Sequence, residues 1–212
     1  LTKNEMQVQE VWALNEEMKG ELLKAMSLNH EVKEKDGIHT GDPTEIAMVK
    51  YAGGQLHFQQ VKEIPFDSDR KAMTTIHEKE GKFWVITKGA AEVITAMDKD
   101  EGRKKLIKEQ EEKMAGNGMR VIAFTGKELH ELPREITPET IEKDMHFIGL
   151  AGLIDPPREE AKNAITECIQ AGIVPVMITG DHPLTAASIA RALGIISNEE
   201  QRLVTGAELA AM

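Results

Sequence analysis

Residues Val176–Ile195 read VMITGDHPLTAASIARALGI. The apolar run Val174–Ile178 has the composition of a buried strand. It ends in Thr179-Gly180-Asp181, just before a helical pattern begins. Such a strand end presents a hydroxyl, a flexible backbone and a carboxylate together. In open α/β sheets, ligands bind outside the carboxyl ends of the strands. Helix N-termini there favour phosphate oxygens, and an aspartate can hold Mg²⁺ through oxygen ligands. Thr179, Gly180 and Asp181 are therefore candidate catalytic residues, although helix capping alone accounts for the same residue types.

A second apolar run, Phe147–Ile154 (FIGLAGLI), ends at Asp155-Pro156-Pro157-Arg158. Pro157 suits the first turn of a helix, and Arg158–Ala171 has helical spacing. Strand, helix, strand, helix in succession predicts a right-handed parallel unit. Asp155 would then share the carboxyl edge of the sheet with Thr179 and Asp181.

Upstream the pattern changes. Leu1–Val11 reads as an extended lead-in and Asn15–Leu28 as a helix. Asp42 opens another helix, with capping-box spacing to Glu45 and Pro43 at the first helical position. Gln60–Phe66, Lys71–Glu78 and Lys82–Lys88 are strand candidates, the last two joined by a turn at Glu80-Gly81. Ala90–Met97 and Arg103–Ala115 read as helices. Met119–Gly126 reads as a strand, and Leu132–Thr140 as a loop before a helical turn. The expected fold class is α/β: an α+β unit with an antiparallel sheet and flanking helices, then the parallel βαβα unit. The boundary is expected near Asp144–Gly149.

Composition limits the function. The 212 residues are 41% hydrophobic, enough for a substantial core, and the formal net charge is −10. That balance disfavours binding to a nucleic-acid backbone. A nucleotide needs only a few local cations, which Lys71, Lys88 and Arg120 supply. No apolar run reaches the length of a membrane span, and no signal peptide is visible at the start. The single cysteine, Cys168, lies in a helical pattern and reads as a small core residue.

Several of these segments, in order, resemble a P-type cation-transporting ATPase. Gly41-Asp42-Pro43-Thr44-Glu45 resembles the family's GDPTE element, Phe66 to Lys71 its FxxxRK element and Lys88-Gly89-Ala90-Ala91-Glu92 its KGAPE element. Asp155 to Arg158 resembles the DPPR hinge, and Met177 to Asp181 the MITGD motif. Leu1 to Met6 is similar to the residues that follow the phosphorylation motif DKTGT. Ala91 departs from the usual proline, and Ser68 stands where many relatives carry arginine. GDPTE together with MITGDH points to bacterial members of the calcium-pump-like branch.

The resemblance implies a nucleotide-binding domain over 9–146, preceded by a lead-in at 1–8 from the phosphorylation domain. It implies a partial, haloacid-dehalogenase-type phosphorylation domain over 147–212. ATP and Mg²⁺ are the implied cofactors, with Asp42, Thr44, Glu45, Phe66, Lys71, Met73, Lys88, Gly89, Arg120, Asp155 and Arg158 around the nucleotide. Phe66 alone reads as core; the resemblance implies that it stacks on adenine. Thr179 and Asp181 would face the transferred phosphoryl group. No dedicated metal ligand set is expected.

The chain thus reads as an excised cytosolic piece of a membrane pump. It lacks the aspartyl nucleophile and is expected to be inactive alone. Its partners would be ATP and the remaining phosphorylation, actuator and membrane domains, and calcium is the expected cargo. Two other readings stay open. A free-standing haloacid-dehalogenase-like phosphatase would use Asp67-Ser68-Asp69, although too little chain follows Asp181 for its remaining motifs. A non-enzymatic adenine-nucleotide sensor would need no nucleophile.

Overall fold

The computed structural model describes residues 2, 3, 5–56, 58–98, 100–179, 183–196, 203–205 and 208. The chain runs β1 (Gln7–Trp12), α1 (Glu16–Leu28), β2 (Lys33–Lys35), β3 (Ile38–Thr40), α2 (Pro43–Tyr51), β4 (Gln59–Asp67), β5 (Ala72–Lys79) and β6 (Lys82–Ala90). It continues through α3 (Ala91–Ala96), α4 (Glu101–Gly116), β7 (Arg120–Leu129), α5 (Pro138–Ile141), β8 (His146–Ile154), α6 (Glu159–Gln170) and α7 (Pro183–Ala192). Six strands form one sheet in the order β1-β8-β7-β6-β5-β4, and every neighbouring pair is antiparallel.

Strand side chains alternate between faces, and the core divides accordingly. Phe124 and Ile86 pack with Leu22, Ala25 and Met26 of α1 and Met48 of α2. Their chain neighbour Ala123 packs on the other face, with Ala91 and Ile94 of α3 and Ile107 and Met114 of α4. A third cluster joins Ile76 and Val85 to Ile141 and Met145 around α5.

Local chemistry fixes the ends of these elements. The Asn15 side chain accepts from the Met18 amide at 2.8 Å and caps α1. The Asp42 side chain accepts from the Thr44 amide at 2.8 Å and the Glu45 amide at 3.4 Å, with Pro43 in the first turn. At the β5–β6 turn, Glu80 and Gly81 both take positive φ (55° and 75°). Two consecutive residues in that region match the right-handed twist of a hairpin.

Among the described residues, the predicted parallel unit is not formed. β8 lies between β1 and β7 and pairs antiparallel with both. Both of its hydrogen-bonding edges are occupied, so no later segment can pair with it. Val174–Ile178 has no strand structure, and Val174, Val176 and Ile178 are exposed. The sheet's open edges lie at β1 and β4, and Val174–Ile178 pairs with neither. Within the extended lead-in Leu1–Val11, the chain from Gln7 onward forms β1, one of the sheet's two edge strands. The sheet passes through residue 147 without a break.

Candidate functional site

Residue 88 sits near the middle of the sheet, opposite Met73 on β5 and Phe124 on β7. Lys88 is 8% exposed. The Lys88 ammonium donates to the Asn29 carbonyl at 2.6 Å, to Glu45 Oε1 at 2.6 Å and to Met73 Sδ at 3.2 Å. An ammonium has three donors, so all of them are used within the protein. Burial pulls the Lys88 pKa down, and the adjacent Glu45 carboxylate opposes that shift. Lys88 therefore orients Glu45 and holds α2 on the sheet; its charge is not directed at solvent.

Glu45 was expected to close a capping box, but its carboxylate turns away from the helix end. Oε2 accepts from the Glu31 amide at 2.9 Å, while Oε1 takes Lys88. A carboxylate oxygen has two lone pairs, so both oxygens keep capacity for a ligand donor.

Phe66 lies one strand over. The β4–β5 register shifts between Ile64 and Asp67, so Pro65 and Phe66 together face the single position Met73. Such a bulge re-aims side chains. β4 is the edge strand of the sheet, where a proline costs no ladder bond. Phe66 is 59% exposed. Phe66, Met73 and Lys88 thus follow one another across the sheet, with Glu45 bonded to the last. An exposed ring beside a fixed, accepting carboxylate suits a planar ligand that carries amino donors.

Gly89 was expected to let backbone approach a ligand. A Cβ there would lie 2.2 Å from the Lys71 carbonyl oxygen and 2.9 Å from Ala72 Cα. The close approach is made by the protein's own turn. Lys71 ends that turn with φ of 51°, and its ammonium pairs with Glu92 Oε1 at 3.1 Å, both side chains exposed. The Asp67 carboxylate accepts from the Asp69 and Arg70 amides, so it organises the turn and is not displayed as a nucleophile.

A second group of predicted residues meets elsewhere. Asp42, Thr44, Arg120 and Asp155 line a cavity of about 670 Å³, together with Thr185 and Ser188 of α7. Arg120, at the start of β7, is exposed. Asp155 Oδ1 accepts from the Glu5 amide at 3.2 Å, and Arg158 Nε donates to the Thr2 carbonyl at 2.8 Å. Both residues fasten the N-terminal segment to the chain beyond β8. Thr179 is exposed. Gly180, Asp181 and His182 lie outside the described residues.

Three contributors were not expected. Asn29 is fully buried; its carbonyl receives Lys88, and its Nδ2 donates to the Ile86 carbonyl at 2.7 Å. Glu31 supplies the amide that holds Glu45, and burial beside Glu63 and Glu45 pushes its own pKa up. Arg70 pairs with Glu142 beneath the sheet. A buried polar residue at a helix end, such as Asn29, leaves no periodicity signal.

The family model for the P-type ATPase cytoplasmic domain N matches residues 19–160, and the chain belongs to that family. It is 38% identical over 211 residues to the "Probable cation-transporting P-type ATPase" of Mycoplasma pneumoniae, covering 96% of this chain and 24% of that protein. It is 37% identical to "Calcium-transporting ATPase 1" of Bacillus cereus, covering 92% of this chain and 24% of that protein. A "Sodium/potassium exporting P-type ATPase" of Schizosaccharomyces pombe is also 37% identical, over 74% of this chain and 17% of its own length. The chain spans about a quarter of the length of the first two relatives. Among the described residues, no helix is long and apolar enough to cross a membrane.

Proposed function

We propose that this chain binds ATP for a cation-transporting P-type ATPase, with adenine held over the row Phe66–Met73–Lys88–Glu45. The observation that carries this reading is the register, which aligns an exposed ring, a thioether and an oriented carboxylate in a chain of this family. Phe66 stacks on the base, and Glu45 accepts from its exocyclic amine. Lys88 and the Glu31 amide hold that carboxylate in place. Arg120 and Thr44, around the neighbouring cavity, face the phosphates, and Lys71 reaches them by releasing Glu92.

Magnesium comes with the phosphates, whose oxygens suit a hard cation. Among the described residues, no three histidine, cysteine or acidic side chains gather to hold a metal ion themselves. Within the whole pump, ATP would phosphorylate an aspartate, and that step would drive cation movement. Thr179 and Asp181 would serve the phosphoryl group there. Calcium is the cargo favoured by the bacterial relative's name. The domains outside this chain would include the remaining phosphorylation domain, the actuator and the membrane domain, with this part on the cytoplasmic side.

Calorimetric titration with ATP and GTP tests the proposal. Weak ATP binding with a clear preference over GTP is expected. No binding at millimolar ATP in a folded sample, or indifference to the base, would overturn it.

A further inference from the structure

We propose that Arg70 is a positioning residue for the base: it holds the β4 bulge so that the Phe66 ring faces outward. This inference rests on the adenine reading above, but its first observable does not.

The bulge has little to define it from within. Pro65 offers no amide, and two residues face one across the ladder. Arg70 supplies the missing restraint. Its Nη2 donates to the Pro65 carbonyl at 2.8 Å, directly before Phe66, and its Nη1 donates to Glu142 Oε1. The guanidinium is a planar, rigid fork, so fixing one arm on Glu142 fixes the other on Pro65.

Glu142 is itself immobilised. Its side chain is 7% exposed, and the same Oε1 accepts from Thr74 Oγ1, which also bonds Thr87 Oγ1 at 2.8 Å. Thr74 and Thr87 are the neighbours in sequence of Met73 and Lys88, and they project to the opposite face. The sheet thus carries a ligand row on one face and a clamp on the other, both anchored on β5 and β6. Glu142 follows α5, and the flanking residues Ile141 and Met145 pack on Ile76 and Val85. The bulge is tied through Arg70 to the segment that follows α5, anchored in the core by Ile141, and not merely to its own turn.

The test uses the whole 212-residue chain. Phenylalanine ring resonances, assigned to Phe66 by comparison with Phe66→Ala, are compared in wild type, Arg70→Met, Arg70→Lys and Glu142→Gln without nucleotide. The Phe66 signals should move in Arg70→Met and Glu142→Gln, and lysine should fail to restore them because it cannot reach both acceptors. With ATP, Arg70→Met should lose affinity about tenfold or more, within the range of losing one stacked base. The Phe66→Ala/Arg70→Met double variant should lose no more than Phe66→Ala alone, because both changes remove the same contact.

Unchanged Phe66 resonances in a folded Arg70→Met or Glu142→Gln protein would overturn the proposal. So would additive losses in the double variant, which would assign Arg70 an effect unconnected with Phe66. Should Arg70→Met fail to fold, Glu142→Gln decides the matter by the same two readouts. Failure of wild type to bind ATP would refute the adenine reading, while the nucleotide-free ring signals would still judge the clamp.

Discussion

Two lysine–glutamate pairs flank the β5–β6 ladder, and they have opposite characters. Lys88 and Glu45 meet at 2.6 Å with each side chain only 10% exposed. Lys71 and Glu92 meet at 3.1 Å with side chains 55% and 61% exposed. The same residue types, in motifs that resemble neighbouring parts of one ligand site, thus face different physics. A buried pair is held by the cost of stranding either charge. An exposed pair gains little and exchanges readily with solvent or a ligand. The first is architecture that presents a carboxylate, and the second is a cation available to an anionic ligand.

Breaking the buried pair should have the largest effect. Lys88→Met leaves the Glu45 carboxylate buried and half-partnered, so stability should fall by about 3–5 kcal/mol, read by urea denaturation. A Lys88→Met/Glu45→Met double variant should recover part of that loss while abolishing preference for ATP over GTP. A double variant as unstable as the single would show that the cost lies in packing and not in the stranded charge.

Phe66 lies at the far end of the row from Glu45, on the edge strand. Phe66→Ala should weaken ATP binding by about 1–3 kcal/mol. Its effect on the unfolding midpoint should be slight, since the ring is already mostly in water. A large stability loss with unchanged affinity would instead make the ring a core residue.

Protonation offers a third contrast, on the same face as Lys88. His77 is 3% exposed; its ring nitrogens make no hydrogen bond of good geometry, and the Leu28 and Phe58 backbones only partly oppose the effect of burial. Burial lowers its pKa from 6.5 to about 4. The folded pKa lies below the unfolded one, so between pH 6.5 and 4 the unfolded chain binds more protons. Stability from the neutral ring is complete above about 6.5 and is lost as pH falls toward 4, by at most about 1.4 kcal/mol per pH unit. Denaturation of wild type and His77→Leu across this range should show the slope reduced in the variant.

The exposed pair should give the smallest effect. Lys71→Met should change stability by no more than about 0.5 kcal/mol. Its consequence should appear in nucleotide affinity, more for ATP than for adenosine, and it should fade with added salt.

How much was legible in the sequence followed from how local each feature is. The helix at Asp42-Pro43, the Glu80-Gly81 hairpin and the strands from Gln59 to Ala90 were readable, because caps, turns and period-two alternation lie within a few residues. The contrast between FIGLAGLI and VPVMI shows the limit. Both are apolar runs followed by helical patterns, yet one became a central antiparallel strand and the other none. A strand's partner is a property of the whole sheet, and composition cannot disclose that β1 and β7 already occupy both edges of β8. The motif residues were found, but their tasks were not separable. Whether Lys88 addresses a ligand or Glu45 depends on burial; Asn29 and Glu31 belong to no motif, and the role of Arg70 within FxxxRK depends on Glu142, a partner 72 residues away.

The row Phe66–Met73–Lys88–Glu45 as an adenine site is the claim on which the rest depends. Amide shift mapping of the labelled chain during separate titrations with ATP, GTP and tripolyphosphate tests it most directly. Saturable shifts at Phe66, Met73, Lys88 and Glu45 with ATP, much weaker with GTP and absent with tripolyphosphate, are the predicted result. Shifts confined to Arg120, Thr44 and the cavity they line, equal for all three ligands, would contradict it.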